Sequence, residues 1–281
     1  MDNRLRKIQL LELEILKDID TICEENDLKY YMVGGTLLGA VRHKGFIPWD
    51  DDVDIAMYRD DYNKIQKIIQ DRFSEKYFVQ NFDTDPNYTR YITKIKLNGT
   101  KLVHKGLAKV DSHHGIYVDI FPLDRVKKED GLGLRLRGKL YRWLYAYKIM
   151  RINVNNDMKL WKKIIKVAFR WITFLVPNRF VNKVFDYICT KDNDNNCSYT
   201  TSFGSGFGWK RQLYKNDVFG NSVRLMFEGY KLRAPDKYET VLKRLYGDYM
   251  QLPPIEKRTT DHNFVEVDFG PYTDMINSKI R

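Results

Sequence analysis

The sequence predicts an α+β fold with a mixed β-sheet and a helical insertion, and three observations support this class. Apolar residues make up 43% of the 281 residues and aromatic residues 14%, which is enough for a large packed core. In the first half, strand-like and helix-like patterns follow one another irregularly, unlike the regular alternation of a doubly wound sheet. A basic, aromatic segment with only helical patterns follows, from about residue 132 to residue 191.

The first predicted element is an amphipathic helix, because the apolar residues between Leu5 and Ile22 recur at helical spacing. Further along the chain we expect strand 28–33, helix 36–43, strand 53–57, helix 62–73, and strands 77–81, 90–97, 101–104 and 116–121. Asn98-Gly99 predicts a hairpin turn between two of these strands. Pro122 is expected to end the last strand, because proline cannot donate a hydrogen bond to a neighbouring strand.

The second half of the chain is predicted to be mainly helical. Helices are expected at 134–150, 158–175 and 179–190, followed by a glycine-rich loop at 203–208, a strand at 223–227 and a helix at 235–246. We therefore divide the chain into a core at 1–130, a basic aromatic helical insertion at 131–200, and a C-terminal part at 201–281 that completes the core domain.

The net charge of +11 favours anionic partners, such as nucleotides, nucleic acid, phosphorylated glycans or an anionic membrane surface. The three cysteines are far apart and form no CxxC pair, which argues against a disulfide framework and against a zinc site. No signal peptide is recognised, and the longest apolar stretch is shorter than the roughly 20 residues that span a bilayer. We therefore expect a cytoplasmic protein.

A run of four aspartates, interrupted once by Val53, is the sharpest chemical feature of the sequence. Asp52 and Asp54 are two residues apart in a predicted strand, so their side chains should point to the same face. Adjacent carboxylates repel unless a cation lies between them, and oxygen ligands suit Mg²⁺ or Mn²⁺. A solvated acidic loop is the alternative interpretation.

Two further positions strengthen the case for a metal-dependent site. Asp119 stands in an otherwise apolar strand, where it predicts a third metal ligand, a general base or a buried salt bridge. Gly34, Gly35 and Thr36 lie between a strand and a helix, where backbone N–H groups can approach a phosphate, although a tight turn would also explain the glycines. Together these features resemble nucleotidyltransferases of the DNA polymerase β type.

Three residues are candidates for substrate binding. Arg42 follows the glycine pair, and its guanidinium suits a pair of phosphate oxygens. Lys94 alternates with isoleucines in a predicted strand and is a second phosphate candidate, or a surface lysine. Trp49 precedes the aspartate run and could stack on a base or a quaternary ammonium, or wedge the loop against the core.

The segment from Leu37 to Ile55 closely resembles the signature of the LicD family, which also includes the fukutin-related proteins. Val118–Asp124 resembles the second motif of this family. Three blocks resemble the C-terminal motif of the family, namely Phe227–Gly229, Pro235–Tyr238 and Tyr246–Tyr249, the last followed by Pro253-Pro254. These blocks cover nearly the whole chain. The long gap between Gly35 and Asp52 departs from the wider nucleotidyltransferase superfamily but is itself a LicD feature.

The resemblance implies a nucleotidyltransferase-like core that moves a phospho-substituent from a CDP-activated donor and releases CMP. Phosphocholine from CDP-choline or a polyol phosphate would be transferred to a hydroxyl of a surface glycan, such as teichoic acid, lipopolysaccharide or capsule, free or linked to lipid. Carried over by motif, Asp52 and Asp54 would be metal ligands and catalytic, with Asp119 as the third carboxylate of the metal site. Asp50 and Asp51 would orient them.

Alternative functions are a D-x-D glycosyltransferase using a nucleotide-sugar, a nucleotidyltransferase acting on a small molecule or an RNA end, and a non-catalytic membrane adaptor. The first lacks the expected strand–helix alternation, the second any recognised nucleic-acid module, so no nucleic-acid partner is expected. Residues 141–190 interleave aromatic residues with Lys and Arg, which indicates either peripheral contact with an anionic membrane or a helical subdomain with an aromatic core.

Overall fold

The computed structural model describes residues 3–127, 131–152, 159–173, 176–194, 196–259 and 264–280. The helices are α1 (Asn3–Glu25), α2 (Gly34–Arg42), α3 (Arg59–Arg72), α4 (Leu132–Ile152), α5 (Leu160–Thr173), α6 (Asn178–Thr190), α7 (Tyr238–Tyr246) and α8 (Thr273–Ile280). The strands are β1 (Tyr31–Met32), β2 (Asp54–Tyr58), β3 (Tyr77–Gln80), β4 (Thr93–Leu97), β5 (Lys101–His104), β6 (Tyr117–Val126), β7 (Tyr199–Thr201), β8 (Tyr214–Lys215), β9 (Val223–Phe227), β10 (Tyr230–Ala234) and β11 (Phe264–Asp268). The expected mixture of helices and a mixed sheet is confirmed.

The main sheet has seven strands, with β1, β2, β6, β4 and β3 side by side, β7 paired with the end of β6, and β8 paired with β7. Strands β2 and β6 run parallel, and the other described pairs of this sheet are antiparallel. Helix α1 buries its apolar side, which includes Ile8, Ile15 and Ile19, in the core cluster that also takes up the inner residues of β2, β4 and β6. This packing holds the ends of the three central strands in a fixed register.

Two local expectations about the strands are wrong. β6 runs through Pro122 to Val126. Its pairing with β4 ends at Ile120 and its pairing with β7 begins at Asp124, so the missing N–H of Pro122 falls where that side of β6 has no neighbour. Asn98-Gly99 does not join a hairpin, because β4 is paired on both sides with β3 and β6, and β5 pairs with β11 instead.

Several elements differ in extent from the predictions or were not predicted. The predicted strand at 28–33 shortens to β1, and residues 158, 174 and 175 of a predicted helix lie outside the described part of the chain. The strands β7, β8, β10 and β11 and the helix α8 carry no clear pattern in the sequence. Each is short. β11 and β7 pair with the distant strands β5 and β6, β8 pairs with β7, and β10 forms a hairpin with β9.

The helical segment α4–α6 has a core of its own. Tyr141 and Phe185 are buried there with apolar residues of α6 and with Tyr91 and Phe203 from the sheet and its loops. The interpretation as a helical subdomain with an aromatic core is therefore confirmed for these residues, whereas Trp143 is 79% exposed and contact with a membrane stays a prediction. Among the helices of the described residues, none is both long and apolar enough to cross a membrane.

Candidate active site

A cavity of about 880 Å³ opens at the start of β2, and we call it the acidic cavity. Its lining includes six of the predicted site residues or their neighbours, namely Gly35, Arg42, Trp49, Asp50, Asp52 and Asp54. Residues of the C-terminal part complete it, among them Tyr246, Tyr249, Lys257 and Arg258. The sequence motif and the C-terminal motif therefore meet at one cavity.

Asp54 is held in place by the turn between β1 and α2. Its backbone N–H donates to Thr36 Oγ1 at 2.8 Å, and its carbonyl accepts from the N–H of Val33 at 3.1 Å. Gly34 has a φ of +56°, and a Cβ atom there would lie 2.9 Å from Asp54 Oδ2. Glycine is required because the carboxylate packs against the first turn of α2, where the helix dipole favours a negative charge.

Gly35 has a similar role toward the other end of the aspartate run. A Cβ atom at Gly35 would overlap Oδ2 of Asp50. The glycine pair therefore admits two carboxylates close to the N-terminus of α2, and the approach of a phosphate to Gly34, Gly35 and Thr36 stays a prediction. The observed role of Thr36 is to hold the backbone of Asp54.

Asp52 corrects one step of the sequence argument. Strand β2 begins at Asp54, so Asp52 precedes the strand and the two-residue strand period does not set its direction. Both side chains nevertheless line the acidic cavity. Burial, followed by the charges of Asp52 and Asp119, raises the pKa of Asp54 well above its usual value.

Asp119 forms the buried salt bridge that was one of its three sequence interpretations. It is 2% exposed, Lys94 Nζ lies 2.5 Å from its Oδ1, and Arg90 Nη1 lies 3.8 Å from its Oδ2. The register places Asp54 beside Asp119 and Asp119 beside Lys94, in one row across β2, β6 and β4. Its roles as metal ligand or base stay predictions.

Lys94 was predicted as a phosphate ligand, and in this structure its ammonium balances Asp119. The Nζ atom also lies 3.5 Å from the ring centroid of Tyr117, a cation–π contact. Burial lowers the pKa of Lys94, and the charge of Asp119 opposes this shift. A phosphate that bound Lys94 would therefore share its ammonium with the carboxylate of Asp119.

Arg42 and Trp49 both face the acidic cavity. Arg42 Nη1 donates to the carbonyls of Tyr249 at 3.0 Å and Gln251 at 3.3 Å, which ties the C-terminal motif to the motif of α2. The ring of Trp49 lies 5.7 Å from the guanidinium carbon of Arg258. Arg258 adds a cation at the cavity that sequence patterns did not single out.

Glu12 is the second residue that the sequence argument missed. It is fully buried in α1, and neither of its carboxyl oxygens has a hydrogen-bond partner among the described residues. Burial, followed by the charges of Asp52, Asp51 and Asp50, raises its pKa well above the usual value. A signal was present, because Glu12 stands four residues after Ile8, on the apolar side of the helix.

The donor set suits a divalent cation at Asp52 and Asp54. Carboxylate oxygens are hard ligands, and a cation between Asp52 and Asp54 would offset the repulsion that, together with burial, raises the pKa of Asp54. Within the described residues, no group of three or more His, Cys, Asp or Glu side chains has the arrangement of a metal site. At such a site, Asp119 would add a metal contact to the ion pair that it already forms with Lys94.

Comparison with known proteins adds independent evidence. Residues 27–133 match the family model described as LicD/FKTN/FKRP, nucleotidyltransferase domain. The chain is 28% identical to the lipopolysaccharide cholinephosphotransferase LicD of Haemophilus influenzae over 274 residues, which cover 92% of this chain and 96% of that protein. It is also 40% identical over 47 residues to the ribitol 5-phosphate transferase FKRP of Homo sapiens, 17% of this chain and 10% of that one.

Among solved structures, an antigenic nucleotidyltransferase-like protein from Paracoccidioides brasiliensis matches 68% of this chain and 89% of its own, with 9% identity and a TM-score of 0.24. The family model covers the row of Asp54, Asp119 and Lys94 as well as the glycine pair. The resemblance of the motifs to the LicD family is thus confirmed: residues 27–133 match its nucleotidyltransferase domain, and most of the chain is similar to one LicD protein.

Proposed function

We propose that this protein transfers a phospho-substituent, phosphocholine or a polyol phosphate, from a CDP-activated donor to a hydroxyl of a cell-surface glycan. The observation that carries this proposal is the acidic cavity, a space large enough for a nucleotide that is lined by Asp52, Asp54, Arg42 and Arg258. Two similar proteins are named for the transfer of choline phosphate and of ribitol 5-phosphate, which supports the reaction class.

In the proposed reaction, Asp52 and Asp54 would hold Mg²⁺ or Mn²⁺, and such an ion would supply positive charge for the diphosphate of the donor and for the leaving CMP. Arg42 and Arg258 add positive charge at the same cavity. Asp119 is the carboxylate that we expect to accept the proton of the attacking hydroxyl, because it lies next to Asp54 in the row. The same proposal includes a core of the DNA polymerase β type. Residues 1–130 and 201–281 would form this one catalytic domain.

The test is to incubate the enzyme with Mg²⁺, a glycan acceptor and CDP-choline labelled at the phosphate next to choline. The proposal expects label on the glycan and unlabelled CMP in solution. Label that remains on the nucleotide product would contradict it. CTP and a UDP-sugar are run in parallel, because pyrophosphate release would indicate a nucleotidyltransferase and UDP release a glycosyltransferase.

We further propose that the enzyme works in the cytoplasm, at the inner face of the plasma membrane, on lipid-linked acceptors. One side of α4 exposes Leu132, Leu136, Leu140 and Trp143, which recur at helical spacing. Helix α5 exposes Trp161, Ile164 and Ile165. Exposed apolar and aromatic residues among lysines and arginines are typical of binding to an anionic lipid surface.

A further inference from the structure

A second cavity, of about 460 Å³, lies on the opposite side of Asp119 from the acidic cavity. We call it the basic cavity, and it is lined by Tyr88, Arg90, Lys94, Lys96, His104 and Tyr117, together with apolar residues such as Leu102 and Ile149. Most of its lining lies within residues 27–133, the part of the chain that matches the family model. None of the described residues that line it is acidic.

Three cations line the basic cavity, and two carboxylates lie near them: Asp119, and Asp85, which accepts from Gln80 and Ser112. Lys94 and Lys96 are two residues apart on β4 and point to the same face of the sheet. Asp119 balances Lys94, and Arg90 approaches the other oxygen of the same carboxylate. Lys96 is 6% exposed, and within the described residues its ammonium donates to the carbonyl of His113 and contacts no carboxylate. Burial lowers the pKa of Lys96 to about 7, and an anion bound in the cavity would stabilise the charged ammonium.

An unsatisfied hydroxyl lies at the same cavity. Tyr88 is 7% exposed, and its hydroxyl is buried without a hydrogen-bond partner among the described residues. Its backbone carbonyl is already engaged, because it accepts from Lys148 Nζ at 3.2 Å. A buried hydroxyl normally finds a partner, so the free hydroxyl of Tyr88 indicates a ligand with an acceptor oxygen.

The two cavities are joined through one row of side chains. Asp54 lines the acidic cavity, Lys94 lines the basic cavity, and Asp119 lies between them on β6. A group bound in the basic cavity would therefore sit beside the carboxylate that we expect to act as base. A donor in the acidic cavity would approach the same carboxylate from the other side.

We propose that the basic cavity binds a phosphate group carried by the sugar acceptor and so places the attacking hydroxyl next to Asp119. This inference rests on the proposed function. Two lysines, an arginine and a hydroxyl donor match the oxygens of a phosphate. Three cations would repel a quaternary ammonium, so the cavity does not suit choline. The rings of Tyr117 and Tyr145 offer apolar faces for the sugar.

The test measures, by calorimetry, the affinity of glucose 6-phosphate, of glucose and of CDP for four proteins. These are the unaltered protein, Lys96→Met, Tyr88→Phe, and the control Lys67→Met, which removes an exposed lysine of α3. Glucose 6-phosphate should bind the unaltered protein and glucose should not. Lys96→Met should weaken glucose 6-phosphate binding at least tenfold and Tyr88→Phe a few-fold, while CDP affinity changes less than twofold in both. Lys67→Met should change nothing.

Three outcomes would overturn the proposal. They are the absence of glucose 6-phosphate binding, an unchanged affinity in both cavity variants, and an equal loss of CDP affinity, which would assign the cavity to the phosphates of the donor. Melting temperatures show that the variants are folded, and Tyr88→Phe tests the cavity even if Lys96→Met is unstable. Failure of the proposed function would look different. The unaltered protein would not consume CDP-choline, but Lys96→Met would still weaken the binding of glucose 6-phosphate.

Discussion

The sheet and the helical segment α4–α6 depart from the usual distribution of residues in opposite ways. In the sheet and on α1, charged groups are buried: Glu12 is 0% exposed, Asp119 2% and Lys96 6%. In the helical segment, apolar groups are exposed: Leu132 is 75% exposed and Trp143 79%. Each departure costs stability, since soluble proteins mostly bury apolar residues and expose charges. We interpret the buried charges of the first region as sites for ions, and the exposed apolar residues of the second region as a binding surface.

The helical segment does not expose these residues for lack of a core. Phe185 is fully buried, and its ring lies 5.3 Å from Tyr141 and 5.7 Å from Tyr91, measured between centroids. The segment therefore has two faces, one packed on the sheet and one apolar and open. In the sheet, by contrast, buried charges either pair closely, as Arg59 and Asp124 do, or face a cavity.

The largest effect should come from the carboxylates of the sheet. Asp54→Asn keeps the size of the side chain but removes a charge that metal and donor require, so turnover should fall by about 10²–10³-fold or more. The melting temperature should not fall, because the substitution removes one of several crowded charges. CMP release is measured beside the control Asp60→Asn, an exposed aspartate of α3. Activity of Asp54→Asn near that of the control would refute the assignment.

A second prediction asks whether buried charges away from the cavities are purely structural. Arg59 and Asp124 form two hydrogen bonds of 2.7 Å between α3 and β6. Arg59→Met leaves Asp124 buried and unpaired, which should lower the free energy of unfolding by about 3–5 kcal/mol. The double variant Arg59→Met/Asp124→Leu should recover most of this loss in denaturant titrations. If the double variant is no more stable than the single one, the pair is not the cause.

The exposed face of α4 is expected to affect membrane binding and not the fold. Replacing Leu140 and Trp143 together by Ser removes two residues of the exposed stripe, so partition onto vesicles rich in anionic lipid should fall about tenfold. Val265→Ser, at an exposed apolar residue of β11, is the control and should bind as before. Co-sedimentation with vesicles measures both. Equal binding by the two variants would mean that the exposed stripe serves another purpose.

The smallest effect concerns a cation where the helical segment meets the sheet. Burial lowers the pKa of Lys148 on α4 to about 7, so the folded protein binds fewer protons than the unfolded chain between that pH and the usual lysine range. Stability should therefore rise with pH through this interval, because the unfolded chain binds more protons there. Lys148→Met should flatten the rise in denaturant titrations from pH 6 to 10. If the stability of Lys148→Met rises with pH as steeply as that of the unaltered protein, the burial of Lys148 is not the cause of the rise.

Local patterns were sufficient for much of the fold. The apolar spacing of α1, the alternating residues of the strands and the aspartate run are properties of neighbouring residues, and the sequence alone predicted them at nearly their observed positions. The extent of β6 was not predictable in this way. Whether Pro122 ends the strand depends on which strands lie beside it, and that is a property of the sheet.

The sequence by itself determined the resemblance to the LicD family, the acidic motif and the chemistry that oxygen ligands favour, because a motif is a contiguous run of residues. Only the tertiary structure decided what each charge faces. Lys94 could be a surface lysine until β4 is placed beside β6, and Glu12 is an ordinary helix residue until α1 packs next to the aspartates. The physical reason is that the energy of a charge depends on burial and on partners far along the chain, which residue spacing does not record.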